Sequence, residues 1–148
     1  MQKGIAESDV LTEERQESRN RPLLRNTRAF SSFSVDDLKR AKAFYGTTLG
    51  MKAAEKPMGL ELTTGDGFRI FVYEKKDHSP ATFTILNFPV ADVERAVADL
   101  RQRGVRFEIY DKGDLKTDGN GIARGNGGPT IAWFKDPAGN FLSLVEES

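Results

Sequence analysis

The sequence contains no cysteine and only one histidine, His78. The absence of thiols excludes disulfides, thiolate zinc sites and cysteine nucleophiles. A lone histidine also excludes a metal site built from several imidazoles of one chain. His78 lies in a polar linker beside Asp77, where we expect a solvated side chain. Four carboxylates of the more apolar part of the chain have no ligand-like spacing: Glu61, Asp136, Glu146 and Glu147.

The chain also lacks an excess of either charge and any long apolar run. Its 22 basic and 22 acidic side chains give a formal net charge of +0, which argues against a broad surface for nucleic acid or anionic membranes. No segment has the length and apolar character of a bilayer span, and the first residues show no hydrophobic signal segment. These absences predict a soluble cytoplasmic protein without nucleic-acid or membrane partners.

Residues 1–26 contain no aromatic side chain and are rich in Glu, Arg, Ser, Asn and Gln. Such a composition buries too little apolar surface to offset the entropy of ordering the chain. We therefore expect a flexible or loosely docked N-terminal extension, in which the run Glu13–Glu17 forms a solvated helix if it docks. Residues 27–148 are expected to form one domain.

From Thr27 onward, the pattern of a strand, a helix and further strands occurs twice. In the first stretch, Asp36 or Asp37 is a candidate helix cap and the helix is expected to end at Gly46. In the second, Asp92 is the candidate cap and Gly104 ends the helix. The predicted strands are 29–35, 52–55, 59–63 and 69–73, then 82–90, 105–110, 130–134 and 141–145. Glycine-containing hairpin turns are predicted at 65–67 and 136–140.

An internal repeat supports this division into two units. The segment from Phe33, Phe-Ser-Val-Asp-Asp-Leu-Lys-Arg-Ala-Lys-Ala, matches the segment from Phe88, Phe-Pro-Val-Ala-Asp-Val-Glu-Arg-Ala-Val-Ala. The identical positions include Asp and Arg as well as apolar residues, so shared core preferences alone do not explain the match. Two βαβββ modules, approximately 27–75 and 81–147, predict an α+β fold with a curved mixed sheet around a cleft. We expect the two open sheets to bury each other's inner faces.

Two segments resemble signatures of the vicinal oxygen chelate superfamily, which includes glyoxalase I, bleomycin-resistance proteins and extradiol dioxygenases. The first is Val-Asp-Asp-Leu-Lys-Arg-Ala-Lys-Ala-Phe-Tyr-Gly-Thr-Thr-Leu-Gly-Met from Val35, which is similar to the first strand and helix. The second is Trp-Phe-Lys-Asp-Pro-Ala-Gly-Asn-Phe-Leu-Ser-Leu-Val-Glu from Trp133, which is similar to the closing hairpin. The resemblance extends over roughly Thr27 to Glu147 and implies the fold more strongly than any activity.

In that superfamily the enzymes carry His or Glu metal ligands on the first and last strand of each module. Carried over position by position, the first-strand places are Phe30 and Ile85, and the last-strand places are Phe71 and Ser143. Phenyl and aliphatic side chains donate no electron pair to a metal, and one hydroxyl cannot hold a divalent ion alone. The departure from the family pattern predicts a protein without a metal or other cofactor.

Strand alternation directs an apolar and aromatic set toward the cleft, with a few neutral polar groups. This set comprises Phe30, Ser32, Phe71, Tyr73, Ile85, Asn87, Trp133 and Ser143. The same residues either line a small-molecule pocket or fill the cleft. Arg69 lies at the mouth of this face, where it is either solvated or meets an anionic ligand. The glycine-rich segment 111–129 lacks a phosphate-binding pattern and is expected to be a lid or partner-contacting loop.

The residues support one function first and leave two others open. The first is a homodimer that binds a small, partly aromatic molecule without a metal, as bleomycin-resistance proteins do. The second is a metal-dependent lyase, isomerase or dioxygenase of glyoxalase type, which the resemblance alone supports. The third is a dimeric interaction module with a filled cleft. Dimerisation is implied by the resemblance and agrees with the exposed edges of open sheets.

Overall fold

The two strand–helix junctions of the sequence repeat are built with the same polar contacts. Asp37 Oδ1 accepts a hydrogen bond from the backbone N–H of Arg40 at 3.1 Å, and Asp92 Oδ1 accepts one from Arg95 at 3.1 Å. Each cap satisfies a backbone donor that a helix start leaves unpaired. These contacts confirm the capping predictions at both sites. The structure is a computed structural model that describes residues 7–20, 23–125 and 127–147.

A second contact is also the same in the two modules: a glutamate at the end of each module accepts a hydrogen bond from the first turn of the helix. Glu74 accepts a hydrogen bond from the N–H of Leu38 at 3.2 Å, and Glu146 accepts one from Val93 at 3.1 Å. The last strand of each module thus holds the first turn of the helix of the same module.

The fold consists of two four-stranded mixed sheets and a few helices, as the sequence predicts. Module 1 contains β1 (Ser31–Val35), α2 (Leu38–Lys42), β2 (Lys52–Lys56), β3 (Gly59–Thr63) and β4 (Arg69–Glu74). Module 2 contains β5 (Thr84–Val90), α3 (Val93–Gln102), β6 (Ile122–Ala123), β7 (Ile131–Lys135) and β8 (Phe141–Glu146). The strand orders are β1-β4-β3-β2 and β5-β8-β7-β6, with the first and last strands of each module parallel.

An additional helix, α1, spans Glu7–Asn20 within the N-terminal extension. Its residues 10–17 are exposed. None of the helices in the described ranges has the length and apolar character that crossing a membrane requires.

The helix of module 1 does not end at Gly46, contrary to the sequence prediction. α2 continues directly into a π-helical segment, Ala43–Thr48, in which the N–H of Leu49 bonds the carbonyl of Phe44 at 2.8 Å. The wider turn keeps Tyr45 fully buried and Phe44 in edge-to-face contact with its ring. Burial of these aromatic rings outweighs the poor helix propensity of Gly46.

The edge strand of module 2 is divided into two pieces, so the prediction of a strand over 105–110 is wrong. Phe107 bridges to Phe134 and Glu108 donates its N–H to Trp133 O at 2.8 Å. The chain then leaves the sheet and returns as β6, where Ile122 and Ala123 pair with Ala132 and Ile131. Residues 109–121 lie between these two pieces and do not pair with β7. We call this segment the excursion.

Asp118 closes this excursion at its base. Its carboxylate accepts hydrogen bonds from the backbone N–H groups of Asn120 and Ile122, at 2.8 and 3.0 Å, and from Arg124 Nη1 at 2.7 Å. Partial burial opposes ionisation, but the hydrogen bonds from Ile122 and Asn120 and the charge of Arg124 prevail and lower the pKa of Asp118.

The two modules join through the sides of their sheets that carry the helices. Buried side chains from both modules form one core, and the ring of Phe44 in module 1 lies 6.4 Å from that of Phe134 in module 2. The cleft-facing sides of the sheets do not cover each other within one chain: Phe30 is 58% exposed and Tyr73 37% exposed. The expectation that the sheets bury each other's inner faces is therefore wrong for the single chain.

A buried polar cluster completes this junction. Tyr45 donates its hydroxyl to Asp136 Oδ2 at 2.6 Å, and Asn140 Nδ2 donates to Asp136 Oδ2 at 2.9 Å and to Ser34 O at 3.0 Å. Burial, followed by the charge and hydrogen bond of Asp136, raises the pKa of Tyr45 far above its ordinary value. Asp136 Oδ1 also accepts the N–H groups of Ala138 and Asn140, which confirms that it caps the last hairpin turn.

His78 belongs to the same junction and is not solvated as predicted. The ring is half-buried, with Nδ1 2.6 Å from Ser34 Oγ in module 1 and Nε2 3.0 Å from Ala138 O in module 2. Since the carbonyl can only accept, Nε2 donates to it, and in the neutral ring Nδ1 accepts from the serine hydroxyl. The only histidine of the chain therefore links the two modules.

Candidate functional site

Each sheet has one face that is opposite the helices, and we call these the first and second open faces. In module 1, Ile70 and Val72 of β4 are buried in the core, so the alternating residues Arg69, Phe71 and Tyr73 lie on the first open face. The parallel pairing of Ser32 with Phe71 places Ser32 there too. The five module 1 residues predicted for the site, which also include Phe30, thus share one face.

A groove of about 230 Å³ lies on the first open face. Its lining residues are Phe30, Glu61, Arg69, Ile70 and Phe71. The sequence marks Glu61 only as a carboxylate without ligand-like spacing, but its pairing with Phe71 in the β3–β4 ladder places it in this groove. The alternation of β3, with Leu60 and Leu62 in the core, is the signal that would have identified it.

The Arg69 side chain contacts two other residues that line the groove, Phe30 and Glu61. Its guanidinium carbon lies 5.8 Å from the centre of the Phe30 ring, and Nη1 lies 4.0 Å from Glu61 Oε2. The first contact is within the range of a cation–π interaction. Side-chain exposures are 51% for Arg69 and 27% for Glu61, so the carboxylate is the less accessible partner.

The second open face carries a polar pair beside an aromatic pair. Ser143, fully buried, donates its hydroxyl to Asn87 Oδ1 at 2.6 Å, and the neighbouring strand places Trp133 directly opposite Ser143. The half-buried Trp133 makes an edge-to-face contact with Tyr110, with ring centres 5.8 Å apart. Tyr110 has no signal in the sequence, because its place on this face depends on the divided edge strand.

Ile85 is the one predicted site residue that does not join its open face. The β5–β8 register shifts between Thr84 and Leu86, which leaves Ile85 in a bulge of β5. A bulge interrupts the alternation of side chains, and Ile85 packs against the shared core. The structure therefore places Ile85 with the core rather than on the second open face.

Charges on the second open face are paired. Lys135 Nζ lies 3.8 Å from Glu108 Oε1 and 4.9 Å from the centre of the Phe141 ring. Partial burial, and then the charge of Glu108, raise the pKa of Tyr110. Tyr110 is therefore an uncharged phenol at neutral pH.

The residues at the four ligand positions of the family do not fit a metal. Phe30 and Phe71 offer only rings, Ile85 is aliphatic, and the hydroxyl of Ser143 is committed to Asn87. Across residues 7–20, 23–125 and 127–147, no group of three or more His, Asp or Glu side chains is arranged to hold a metal ion. We therefore derive no reaction step through a metal at this site.

The arrangement described here, with paired βαβββ modules and helices on one side of each sheet, defines a fold that other proteins share. The family model for the Glyoxalase/Bleomycin resistance protein/Dioxygenase superfamily matches residues 30–144. The chain belongs to this superfamily. No curated protein sequence matches the chain significantly.

Several solved structures share the fold at low sequence identity. TnmS3, an antibiotic-binding protein from Streptomyces sp. CB03234, is 24% identical with a TM-score of 0.56, and the match covers 83% of this chain and 98% of that one. A putative glyoxalase family protein from Bacillus anthracis is 22% identical with a TM-score of 0.58, covering 84% and 100%. The fosfomycin resistance protein FosX from Listeria monocytogenes is 15% identical with a TM-score of 0.61, covering 81% and 92%.

Proposed function

We propose that the protein binds a small, partly aromatic molecule in a cleft that requires no metal. The observation that carries this proposal is the set of side chains on the two open faces. Aromatic side chains that are accessible to a ligand stand beside neutral polar groups where enzymes of this superfamily hold a metal. Such a combination of apolar surface with a few placed polar groups is typical of small-molecule sites.

The proposal includes a homodimer in which each cleft forms between two chains. Within one chain the modules meet on their helix-bearing sides, so both open faces are available to a second copy. The exposed aromatic rings of the first open face, Phe30 and Tyr73, favour burial in such an assembly. A two-fold axis would place the first open face of each chain over the second open face of the other, which yields two equivalent clefts.

The structural relatives are consistent with this proposal. TnmS3 is described as an antibiotic-binding protein and FosX as a fosfomycin resistance protein. At these identities the likeness extends to the fold alone, so a small-molecule ligand is proposed for this chain on the strength of its own residues. The groove of about 230 Å³ on one face is smaller than a typical ligand site, which agrees with a cleft that needs two faces.

Trp133 provides a direct test, because it is the only tryptophan of the chain and lies on the second open face. A panel of aromatic compounds is titrated while Trp133 fluorescence and the thermal midpoint are followed, in the presence of a chelator and then of divalent metals. We expect binding that the chelator does not affect, with a midpoint that rises with ligand concentration. Binding that appears only with a metal, or disappears with the chelator, would reject the proposal.

The dimer is tested separately by light scattering and by a substitution on one face. Tyr73→Glu adds a charge to the first open face without touching the core, and we expect it to shift the protein toward monomer. Glu55→Gln is the matched control, since Glu55 is ion-paired with Lys42 of α2 on the opposite side of the same sheet. A monomeric wild-type protein at micromolar concentration would contradict the dimer.

A further inference from the structure

Glu61 is the feature of the first open face that the proposed function leaves unused. It lies on β3, an inner strand, directly opposite Phe71, and its side chain is 27% exposed. The only ion pair that Glu61 makes in the described ranges is the contact with Arg69 at 4.0 Å. A carboxylate that is partly removed from water among apolar side chains is destabilised unless a cation or a hydrogen-bond donor accompanies it. The groove therefore favours a positive group.

Arg69 shows what kind of group fits. Its guanidinium lies against the Phe30 ring, 5.8 Å from the ring centre, while Nη1 approaches Glu61. A ring face and a carboxylate close to one cation are the elements by which proteins recognise organic cations. In the free chain a residue of the protein itself occupies this place.

We propose that the groove is a subsite for an organic cation, an ammonium or guanidinium group carried by the bound aromatic molecule, which displaces the Arg69 guanidinium. The inference rests on the proposed function and adds the charge of the ligand to it. Glu61 supplies the counter-charge, Phe30 supplies the ring face, and Phe71 supplies the apolar wall.

The relative positions of the two charges favour a cation over an anion. Glu61 projects from an inner strand and its side chain is 27% exposed, whereas Arg69 begins β4 and has a side chain that is 51% exposed. Arg69 is therefore the partner that can turn into solvent more readily. An anion held by Arg69 would lie beside the Glu61 carboxylate and be repelled by it. The lysines of the edge strand, Lys52 and Lys56, are exposed and act through solvent, where salt screens them.

If a ligand must displace Arg69, its affinity should depend on Arg69 in a way that is not expected for a pocket that is empty before binding. A ligand that must compete with a resident group binds with an apparent affinity reduced by the fraction of time that the site is open. Removal of Arg69 should therefore strengthen the binding of a cation. Removal of Glu61 should weaken it.

The experiment is a titration of the full-length protein with three small probes: benzyltrimethylammonium, benzyl alcohol and phenylacetate. Amide chemical shifts of Glu61, Arg69 and Phe71 in two-dimensional NMR spectra locate the binding and give the affinity. We expect benzyltrimethylammonium to bind the groove most tightly. Glu61→Gln should weaken this binding by about tenfold, and Arg69→Gln should strengthen it by roughly threefold. Glu55→Gln, on the other side of the sheet, should have no effect.

Tighter binding of phenylacetate, with loss of that binding in Arg69→Gln, would overturn the cation subsite while leaving a metal-free small-molecule site in place. Absence of any shift at Glu61, Arg69 and Phe71 with all three probes would overturn it too. The Trp133 titration judges the broader proposal by a separate signal, because Trp133 lies on the opposite wall of the proposed cleft and responds to aromatic compounds of any charge. A fall in benzyltrimethylammonium affinity in Arg69→Gln would also contradict the competition between ligand and Arg69.

Discussion

The two modules share their helix caps and core positions but differ at the edge strands that follow their helices. In module 1 the edge strand β2 is a continuous run, Lys52–Lys56, paired along β3. In module 2 the same role is divided between residues 107–108 and Ile122–Ala123, with the excursion 109–121 between them. An edge strand pairs on one side only, so an interruption there leaves the inner strands intact. The comparison indicates that the backbone groups of β7 must be paired along the strand. The residues that pair with them need not be consecutive in the chain.

The open faces differ in a related way. The first face combines rings with opposite charges, Arg69 and Glu61. The second places the neutral pair Asn87 and Ser143 beside Trp133 and Tyr110, and carries the separate ion pair of Lys135 and Glu108. Tyr110 belongs to the excursion, so the divided edge strand is what adds a second ring to that face. The two halves of the proposed cleft are therefore chemically distinct despite the repeat.

The largest expected effect tests whether the modules share one core. Ile70 and Leu142 occupy equivalent, fully buried positions in β4 and β8. Ile70→Ala and Leu142→Ala should each lower the free energy of unfolding by about 2 to 5 kcal/mol, since each leaves a cavity. Urea unfolding followed by Trp133 fluorescence, which reports on module 2, and by far-ultraviolet circular dichroism should give one coincident transition. Two separate transitions would show that the modules unfold independently.

The next effect concerns the contact between the modules. Tyr45→Phe removes the hydroxyl that donates to the buried Asp136 carboxylate and should lower stability by about 1.5 to 3 kcal/mol. The pKa of Tyr45 is higher in the folded state than in the unfolded state. Above pH of about 10 the unfolded chain loses the proton first, so stability should fall with a slope near 1.4 kcal/mol per pH unit.

This pH dependence should be absent below pH of about 10 and much reduced in Tyr45→Phe. Tyr73→Phe, at an exposed tyrosine, is the control and should keep the slope of the wild-type protein. An unchanged alkaline slope in Tyr45→Phe would mean that another group controls the loss of stability.

A smaller effect is expected at the base of the excursion. Gly121 has φ of 85°, and a Cβ there would lie 2.8 Å from Phe107 Cβ and 2.9 Å from Glu108 O. Gly121→Ala should therefore lower the thermal midpoint and cost about 1 to 3 kcal/mol. Gly119→Ala is the matched control in the same loop, because no atom lies within 4 Å of its added Cβ. Equal effects of the two substitutions would show that Phe107 and Glu108 do not pack closely against Gly121.

The smallest effect compares the two caps. Asp37→Ala and Asp92→Ala each remove one side-chain acceptor at a helix start and should each cost about 1 kcal/mol. Chemical denaturation of both variants measures the difference directly. A loss confined to Asp92→Ala would indicate that the short α2 is held by tertiary packing and not by its cap.

The predictions from sequence that succeeded depend on local chemistry. Asp37 and Asp92 were identified as caps, and Gly67 and Gly139 have the positive φ, 87° and 85°, that their hairpin turns require. Alternation of core and open-face residues correctly placed Phe71, Tyr73, Asn87 and Ser143. These features follow from residue type and spacing within a few positions of the chain.

The predictions that failed depend on contacts between distant segments. The alternation through 105–110 is compatible with a strand, but only 107–108 find a partner, because β6 occupies the rest of the edge. His78 is polar and lies in a polar linker, and its burial follows from partners in two modules, Ser34 and Ala138. The bulge at Ile85 and the continuation of the helix past Gly46 likewise result from packing that no local pattern records.

The bond between Tyr45 and Asp136 also has a kinetic meaning, because it joins residues 91 positions apart. Closing so long a stretch of chain costs entropy that local contacts do not recover. The strand pairings inside each module span shorter distances and are expected to form first. Docking of the preformed modules, completed by the Tyr45 hydroxyl, is then expected to limit the rate of folding. In that order of events, Tyr45→Phe should mainly accelerate unfolding and leave refolding of the individual modules nearly unchanged.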